Sequence, residues 1–268
     1  HRSTLEEEVA FVVVEEHLEF GDQAGVAAQA GVGVDQIDGR FASADHGVTI
    51  DLRNSQNQLA FATGAGGSTG IVIRNAEAAV GSDFSDNLFA NDAGSWLEGG
   101  DGADNLYGGQ GNDVLIAHRP GGASQFAWND ILQGGGGADY LKDGSDMTGG
   151  AGNDVIDATG TVGPLGAIVR FAAGDGHDTI KANSHINYID LSSLSASDIS
   201  VVWDVDSLTL LHHDSDGSFY NVVADLAVVI NSTGDSIVIR GFEGEILVQG
   251  WPVVSNISSV PPENVNSI

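Results

Sequence analysis

The chain has 268 residues, with 38 glycines, no cysteine and only five prolines, so neither a disulfide scaffold nor a collagen-like chain fits. Acidic residues outnumber basic ones by 38 to 9, and the formal charge of −29 repels phosphate backbones and anionic lipids. No run approaches the roughly 20 apolar residues that span a bilayer. Cations are therefore the expected partners, and neither nucleic acid binding nor membrane insertion is expected.

The chain begins with an acidic lead-in, residues 1–46, which we interpret as an edge strand or a linker. Its glutamates would suit a helix, but the apolar run Val9–Val14 favours a strand. Three short β-rich runs follow and are separated by Gly, Ser and Asn turns: 47–52, 58–63 and 71–80. They predict irregular β coils that lead into the next segment.

A nine-residue repeat dominates the middle of the chain. Four copies fit G-G-x-G-x-D-x-U-x at every fixed position, where U is apolar: 99–107, 108–116, 134–142 and 149–157. A fifth copy, 173–181, departs only at its first glycine, and decayed copies occupy 81–89 and 90–98. Insertions at 117–128 and 158–172 and a shortened unit at 143–148 interrupt the array. The core repeats thus cover 81–157 and 173–181, within a predicted solenoid of residues 47–182.

β-rich runs continue after the repeats, over residues 183–251. They alternate with DSDG and STGD turns, which favour antiparallel hairpins, and we interpret this part as a flanking or capping region. Residues 252–268 contain three of the five prolines and predict an extended tail.

The nonapeptide has the residues that an oxygen-ligated metal site needs. Glycines at the first, second and fourth places permit positive φ angles and close approach of neighbouring turns. Backbone carbonyls of such a turn can join the carboxylate of the sixth residue around one ion, and this donor set suits Ca²⁺. Zinc is disfavoured because the chain lacks cysteine and its eight histidines show no ligand spacing. Several Ca²⁺ ions are therefore the expected cofactor.

The apolar eighth residues are expected to point inwards and to form a narrow aliphatic core: Leu106, Leu115, Leu141, Ile156 and Ile180. Two units would make one turn of a coil, so Asp86 and Asp104 would lie in one ladder. So thin a coil buries little apolar surface against its chain entropy, and bound metal must supply the difference. The predicted fold class is all-β: a parallel β-roll or β-solenoid with Ca²⁺-binding turns, flanked by irregular β coils and a C-terminal antiparallel β region.

The candidate ligands are the sixth-position carboxylates together with the glycine, Asp and Asn residues of the preceding turns. Asp86 and Asp130 belong to decayed or interrupted units, and the other aspartates at this position belong to complete or nearly complete ones. The set comprises Gly81, Asp86, Gly99, Gly100, Asp101, Gly102, Asp104, Gly108, Gly109, Gly111, Asn112, Asp113, Asp130, Gly134, Gly135, Gly137, Asp139, Gly149, Gly150, Gly152, Asn153, Asp154, Gly174, Gly176 and Asp178.

These nonapeptides resemble the RTX family of Gram-negative exoproteins, the hemolysin-type calcium-binding repeat proteins, which include toxins, proteases, lipases, alginate epimerases and adhesins. The resemblance covers about 71–242. It implies calcium-dependent folding after type I secretion and a secreted or cell-surface location. The main hypothesis is a non-enzymatic calcium-binding module of a larger exoprotein.

Two alternatives remain open at this point. The chain would be a subunit of a surface layer, adhesin or filament that assembles in Ca²⁺, with Val9–Val14 pairing with a neighbouring copy or another surface protein. Alternatively, it would be part of a glycan-acting or lipolytic enzyme. The G-x-S-x-G match at Gly66–Gly70 precedes a β-like run and is interpreted as an ordinary turn, as are His212–Asp214 and Asp214–Gly217. No HExxH motif occurs.

Overall fold

The computed structural model describes residues 12–14, 28–29, 35–39, 47–54, 58–62, 71–118, 129–160, 166–181, 186–213, 219–242, 245–248 and 251–254. Almost all of this regular structure is β-strand, with a short 3-10 helix at Ala196–Asp198. None of the described helical residues forms a segment long and apolar enough to cross a membrane. The chain divides into two compact units, His1–Ile131 and Leu132–Ile268, and the all-β class is confirmed.

The first unit contains two sheets. Sheet A consists, in spatial order, of β1 (Val12–Val14), β3 (Gln36–Asp38), β7 (Ala78–Val80), β9 (Trp96–Glu98) and β11 (Val114–Ile116). Sheet B consists of β2 (Ala28–Gln29), β6 (Ile71–Arg74), β5 (Gln58–Ala62), β4 (Val48–Asp51), β8 (Asn87–Phe89) and β10 (Asn105–Tyr107). Successive repeat strands alternate between the two sheets, as a coil of two units per turn requires.

Parallel pairing sets the register of the repeats in this unit. Leu88 pairs with Leu106 in sheet B, and Leu97 pairs with Leu115 in sheet A. Both pairs are eighteen residues apart, which confirms the predicted two-unit turn. The segment before the repeats differs from the expected irregular coils, because β4, β5 and β6 form an antiparallel meander. Their connections are shorter than the dozen or so residues that a parallel crossover needs.

The second unit also contains two sheets. Its sheet A consists of β13 (Tyr140–Lys142), β15 (Val155–Asp157), β17 (His177–Lys181), β21 (Ser236–Phe242), β20 (Phe219–Ile230) and β19 (Ile199–His213). Its sheet B consists of β12 (Ile131–Gly136), β14 (Asp146–Ala151), β16 (Ala167–Arg170), β18 (Ile186–Asp190), β22 (Glu245–Val248) and β23 (Trp251–Val254).

Core pairing in this unit survives changes in repeat length. Leu141 pairs with Ile156 fifteen residues later, and Ile156 pairs with Ile180 twenty-four residues later. The shortened unit and the insertion thus alter the connections between strands, while the eighth-position residues remain partners. These side chains point inwards as predicted, and each exposes at most 1% of its surface.

The predicted antiparallel region is present but smaller than expected. Strands β19 and β20 form a long antiparallel hairpin, and β20 also pairs antiparallel with β21. By contrast, β18 pairs in parallel with β16 and β22, and β21 pairs in parallel with β17. Parallel stacking therefore continues beyond the last nonapeptide, and the buried side chains of Ile189, Ile237 and Ile239 prolong the aliphatic interior.

Candidate metal centre

The glycines of the nonapeptide have two roles in the turns. Those at the second and fourth places adopt left-handed angles, with φ of 118° at Gly100 and 130° at Gly102, and a Cβ on either would also overlap backbone atoms of the neighbouring turn. The first glycine, Gly99, is required for space alone, since a Cβ there would overlap the carbonyl oxygen of Ala117 and Oδ2 of Asp104. The turn therefore brings backbone and carboxylate oxygens close together.

The same arrangement recurs in other units. A Cβ at Gly81, Gly134 or Gly149 would overlap Oδ2 of the sixth-position aspartate in the same unit. Left-handed φ angles recur at second- and fourth-position glycines of the later repeats: Gly135, Gly137, Gly150, Gly152, Gly174 and Gly176. This oxygen-lined cradle therefore recurs in several units. The tandem copy 108–116 is an exception to the expected angles, because Gly109 and Gly111 do not have positive φ.

The sixth-position carboxylates of the first unit form a ladder beside sheet B. The backbone N–H of Asp86 donates to Oδ1 of Asp104 at 2.9 Å, and the N–H of Asp104 donates to Oδ1 of Asp130 at 2.8 Å. Asp130 continues this ladder although it lies 26 residues after Asp104. The interrupting insertion therefore does not remove Asp130 from the stack. On the sheet A side, the N–H of Ser95 donates to Oδ1 of Asp113 at 2.6 Å.

The second unit has its carboxylate ladder beside sheet A. The N–H of Asp139 donates to Oδ1 of Asp154 at 2.8 Å, and the N–H of Asp154 donates to Oδ1 of Asp178 at 2.9 Å. On the sheet B side the corresponding positions are Ser145 and Ala167, as the register of β14 and β16 shows. The main ladder of this unit therefore flanks the strands β13, β15 and β17.

The turns differ in whether Oδ2 of the sixth-position aspartate accepts a hydrogen bond. Oδ2 of Asp86 accepts the N–H of Ser82 at 2.6 Å, and Oδ2 of Asp113 accepts the N–H of Gly109 at 2.8 Å. Oδ2 is buried without a hydrogen-bond partner, within the described part of the chain, at Asp104, Asp130 and Asp154. A buried oxygen without a donor is costly, so these atoms are the ones that a cation would satisfy.

Burial makes the ladder carboxylates weak acids when no metal is bound. Burial, reinforced by the charges of Asp86 and Asp130, raises the pKa of Asp104 to about 9. Burial likewise raises the pKa of Asp178 to about 7 and that of Asp154 to about 6. A divalent cation would reverse this effect because it favours the ionised form.

The donor set fits a hard cation. Among the described residues no group of three or more His, Cys, Asp or Glu side chains is placed to hold a metal by itself. Backbone carbonyls must therefore complete any coordination shell, and those of Ala117 and Gly149 border the cradles of Gly99 and Gly134. Carboxylate and carbonyl oxygens in a glycine turn are the ligands that Ca²⁺ prefers.

Other predicted site residues lie at the margins of the turns. Asp101 is half-buried, whereas Asn112 and Asn153 are exposed. The side-chain oxygen of Asn153 accepts the N–H of His177 at 3.1 Å, so it ties two turns together. Gly108, Gly109 and Gly111 of the tandem copy lie in the corresponding turn, where Gly109 approaches the carbonyl of Asn91.

Sequence reasoning did not identify Asp235. Its Oδ2 accepts the N–H of Gly174 at 2.6 Å, so the STGD turn stacks on the last nonapeptide turn. The parallel register of β17 and β21 explains this contact, because it aligns Asp178 with Ile237. An apolar residue thus ends the carboxylate ladder, and no local pattern in the sequence marks that position.

Two segments considered as enzyme motifs or turns, Gly66–Gly70 and Asp214–Gly217, lie outside the described residues.

The repeat segment matches a known family of repeats. The model of the RTX calcium-binding nonapeptide repeat matches four copies, at residues 80–115 and 129–160. Repeats of this family bind Ca²⁺ ions in multiple sites, and they are structural rather than catalytic. A search of the curated proteins found no match. The matched segments contain the ladder residues of both units except Asp178, which lies beyond residue 160.

Proposed function

We propose that this chain, whose central array consists of RTX calcium-binding nonapeptide repeats, is a calcium-triggered folding module of a larger secreted protein. The observation that carries the proposal is the pair of buried carboxylate ladders. Their aspartates stack directly on one another, and Oδ2 of Asp104, Asp130 and Asp154 has no hydrogen-bond partner in the described part of the chain.

Calcium concentration would decide whether the array folds. Bringing ionised carboxylates together in a buried stack is unfavourable unless a cation compensates the charge. In a low-calcium cytoplasm the array would remain unfolded, which suits passage through a narrow secretion channel. Outside the cell, millimolar Ca²⁺ would stabilise the fold by mass action, and each site at one hundred times its dissociation constant would contribute about 2.7 kcal/mol.

An extracellular or cell-surface location in a Gram-negative bacterium belongs to this proposal. Proteins with RTX repeats are typically secreted from such bacteria. The formal charge of −29 and the lack of cysteine agree with a chain exported unfolded into a calcium-rich medium. The module would then stabilise or present the remainder of its parent protein.

Circular dichroism of the full chain tests the proposal. Titration with Ca²⁺ should give a cooperative gain of β-structure, whereas the same concentration of Mg²⁺ should give little, because Mg²⁺ demands octahedral geometry and keeps its water. Asp154→Asn should remove calcium binding at one turn, while the exposed Asp83→Asn provides a control with the same change in charge. A spectrum indifferent to Ca²⁺, or equal effects of the two variants, would refute the proposal.

The surface-assembly alternative assigned Val9–Val14 to pairing with a neighbouring molecule. In the structure Val12–Val14 pairs antiparallel with Gln36–Asp38 of the same chain. One edge of this strand is therefore satisfied internally, and assembly through it is not part of the proposed function.

A further inference from the structure

The turn that contains Asp130 differs chemically from the complete nonapeptides. Its first two positions are Ala117 and His118, where the consensus has glycines, and residues 119–128 separate them from Asn129 and Asp130. The two glycines that open the consensus are therefore replaced at these positions. Asp130 nevertheless remains fully buried, and its Oδ1 accepts the N–H of Asp104 at 2.8 Å.

Two polar atoms at this turn have no hydrogen-bond partner in the described residues: Nδ1 of His118 and Oδ2 of Asp130. Both atoms are buried. In two other turns the second-position residue donates a hydrogen bond to Oδ2 of the aspartate. The N–H of Ser82 donates to Oδ2 of Asp86, and the N–H of Gly109 donates to Oδ2 of Asp113. His118 occupies that second position in the interrupted unit.

Backbone contacts bring the two residues to the same turn. The N–H of Gly100 donates to the carbonyl of Ala117, the residue before His118, at 3.1 Å, and the N–H of Asp104 donates to Oδ1 of Asp130 at 2.8 Å. Gly100 and Asp104 belong to one nonapeptide turn, so His118 and Asp130 both stack on that turn. Their sequence separation of twelve residues fits no common metal-binding motif, so only the fold brings them together.

We infer that His118 Nδ1 and Asp130 Oδ2 are the protein ligands of a site for a divalent transition metal, with zinc as the expected ion. An imidazole nitrogen is a poor ligand for Ca²⁺, which takes oxygen donors, but it is a preferred ligand for Zn²⁺. Carboxylate oxygen also binds Zn²⁺, and water molecules would occupy the remaining positions of a tetrahedral shell. The site extends the sheet B ladder at a turn where the calcium-binding cradle is incomplete.

The bound metal would satisfy both buried atoms at once. It would leave Oδ1 of Asp130 available for the N–H of Asp104, because that oxygen already has its donor. Zinc binding would therefore add to the calcium-loaded array without displacing the carboxylate from its ladder. The complete turns lack any imidazole at the second position, so they retain their preference for calcium.

Zinc titration of the full chain in saturating Ca²⁺ tests the inference, with binding followed by calorimetry and by the ring-nitrogen resonances of labelled histidine. Zinc should shift the His118 Nδ1 resonance, and His118→Gln should remove one binding event. Asp130→Asn should also remove this zinc-binding event. The amide oxygen can still accept the N–H of Asp104, whereas the amide nitrogen that replaces Oδ2 cannot bind zinc.

His177→Gln is the matched control. His177 lies in an exposed turn, where its Nδ1 contacts Oγ of Ser236 at 3.0 Å, so its loss should leave zinc binding at His118 unchanged. Calcium-dependent circular dichroism of the same samples reports separately on the folding of the array. The inference is overturned if the calcium-folded chain takes up no zinc, or if His118→Gln and His177→Gln bind as much zinc as each other.

Discussion

The backbone N–H of Asp86 donates a 2.9 Å hydrogen bond to Oδ1 of Asp104, one coil turn later. This bond uses one oxygen of the Asp104 carboxylate and leaves Oδ2 buried without a partner among the described residues. Oδ1 of Asp104 therefore holds the ladder together, and Oδ2 is the oxygen available to a cation. A change that affects only Oδ2 should therefore separate metal binding from ladder stability.

Asp104→Asn should stabilise the metal-free fold and weaken calcium binding. The amide oxygen can still accept the N–H of Asp86, and the amide is neutral in the unfolded chain, whereas the Asp104 carboxyl must take up a proton to be buried at pH 7 because its folded-state pKa is about 9. The expected gain in metal-free stability at pH 7 is about 1–3 kcal/mol, because the buried amide N–H without a partner offsets part of the roughly 1.4 kcal/mol per pKa unit that the carboxyl loses. Urea unfolding without calcium and equilibrium dialysis with calcium measure the two effects, with Asp83→Asn as the exposed control. Lower metal-free stability in Asp104→Asn would contradict the assignment of Oδ2.

The metal-free chain should be more structured in mild acid than at neutral pH. The folded-state pKa values of Asp86, Asp154 and Asp178 are raised, to about 6, 6 and 7. Because a raised carboxyl pKa favours the protonated folded form, this stabilisation is complete below pH 4 and is lost as pH rises through 6 to 7. Circular dichroism of the calcium-depleted chain at pH 5 and pH 8 checks this.

Calcium affinity should change with pH in the opposite direction. Ca²⁺ binds the ionised carboxylates, so binding near pH 6 must displace protons and affinity should rise up to about pH 7 or higher. Calorimetric titrations in two buffers of different ionisation enthalpy would report the released protons. Identical heats in both buffers would mean that the ladder is already ionised before calcium binds.

Two glycine substitutions should distinguish close approach from backbone strain. Gly99→Ala places a methyl group against the Ala117 carbonyl and Asp104 Oδ2, so it should abolish calcium binding at that turn. Gly174→Ala meets nothing within 4 Å but must keep a φ of 98°, so it should cost only about 1–2 kcal/mol. Calcium stoichiometry and thermal unfolding of both variants give the comparison. Equal calcium stoichiometry in both would contradict the oxygen-lined cradle.

Leu106→Ala should show how far the aliphatic core supports the metal sites. Leu106 is fully buried, and truncation of such a side chain costs about 2–5 kcal/mol. Since folding and calcium binding are coupled, the variant should require more calcium to reach its folding midpoint, yet bind the same number of ions once folded. A calcium midpoint unchanged from the unmodified chain would show that the core contributes little.

Local chemistry explains why so much was predictable from the sequence. The nine-residue period, the inward leucines and the Asp86–Asp104 ladder follow from residues that act within one or two turns. Glycine spacing predicts the cradle, and an apolar residue two places after each aspartate predicts the core. The antiparallel meander of β4 to β6 was missed because short apolar runs carry no information about their strand partners.

The sequence by itself determined that this chain forms an all-β coil with regularly spaced carboxylates suited to calcium, because repeat chemistry depends on short-range spacing. Only the tertiary structure decided which side of the coil holds each ladder, how the ladder resumes at Asp130, and that Asp235 caps the turn of Gly174. It also brought His118 beside Asp130. These relationships depend on the pairing of strands across insertions of variable length, and stacking of the apolar interior sets that pairing.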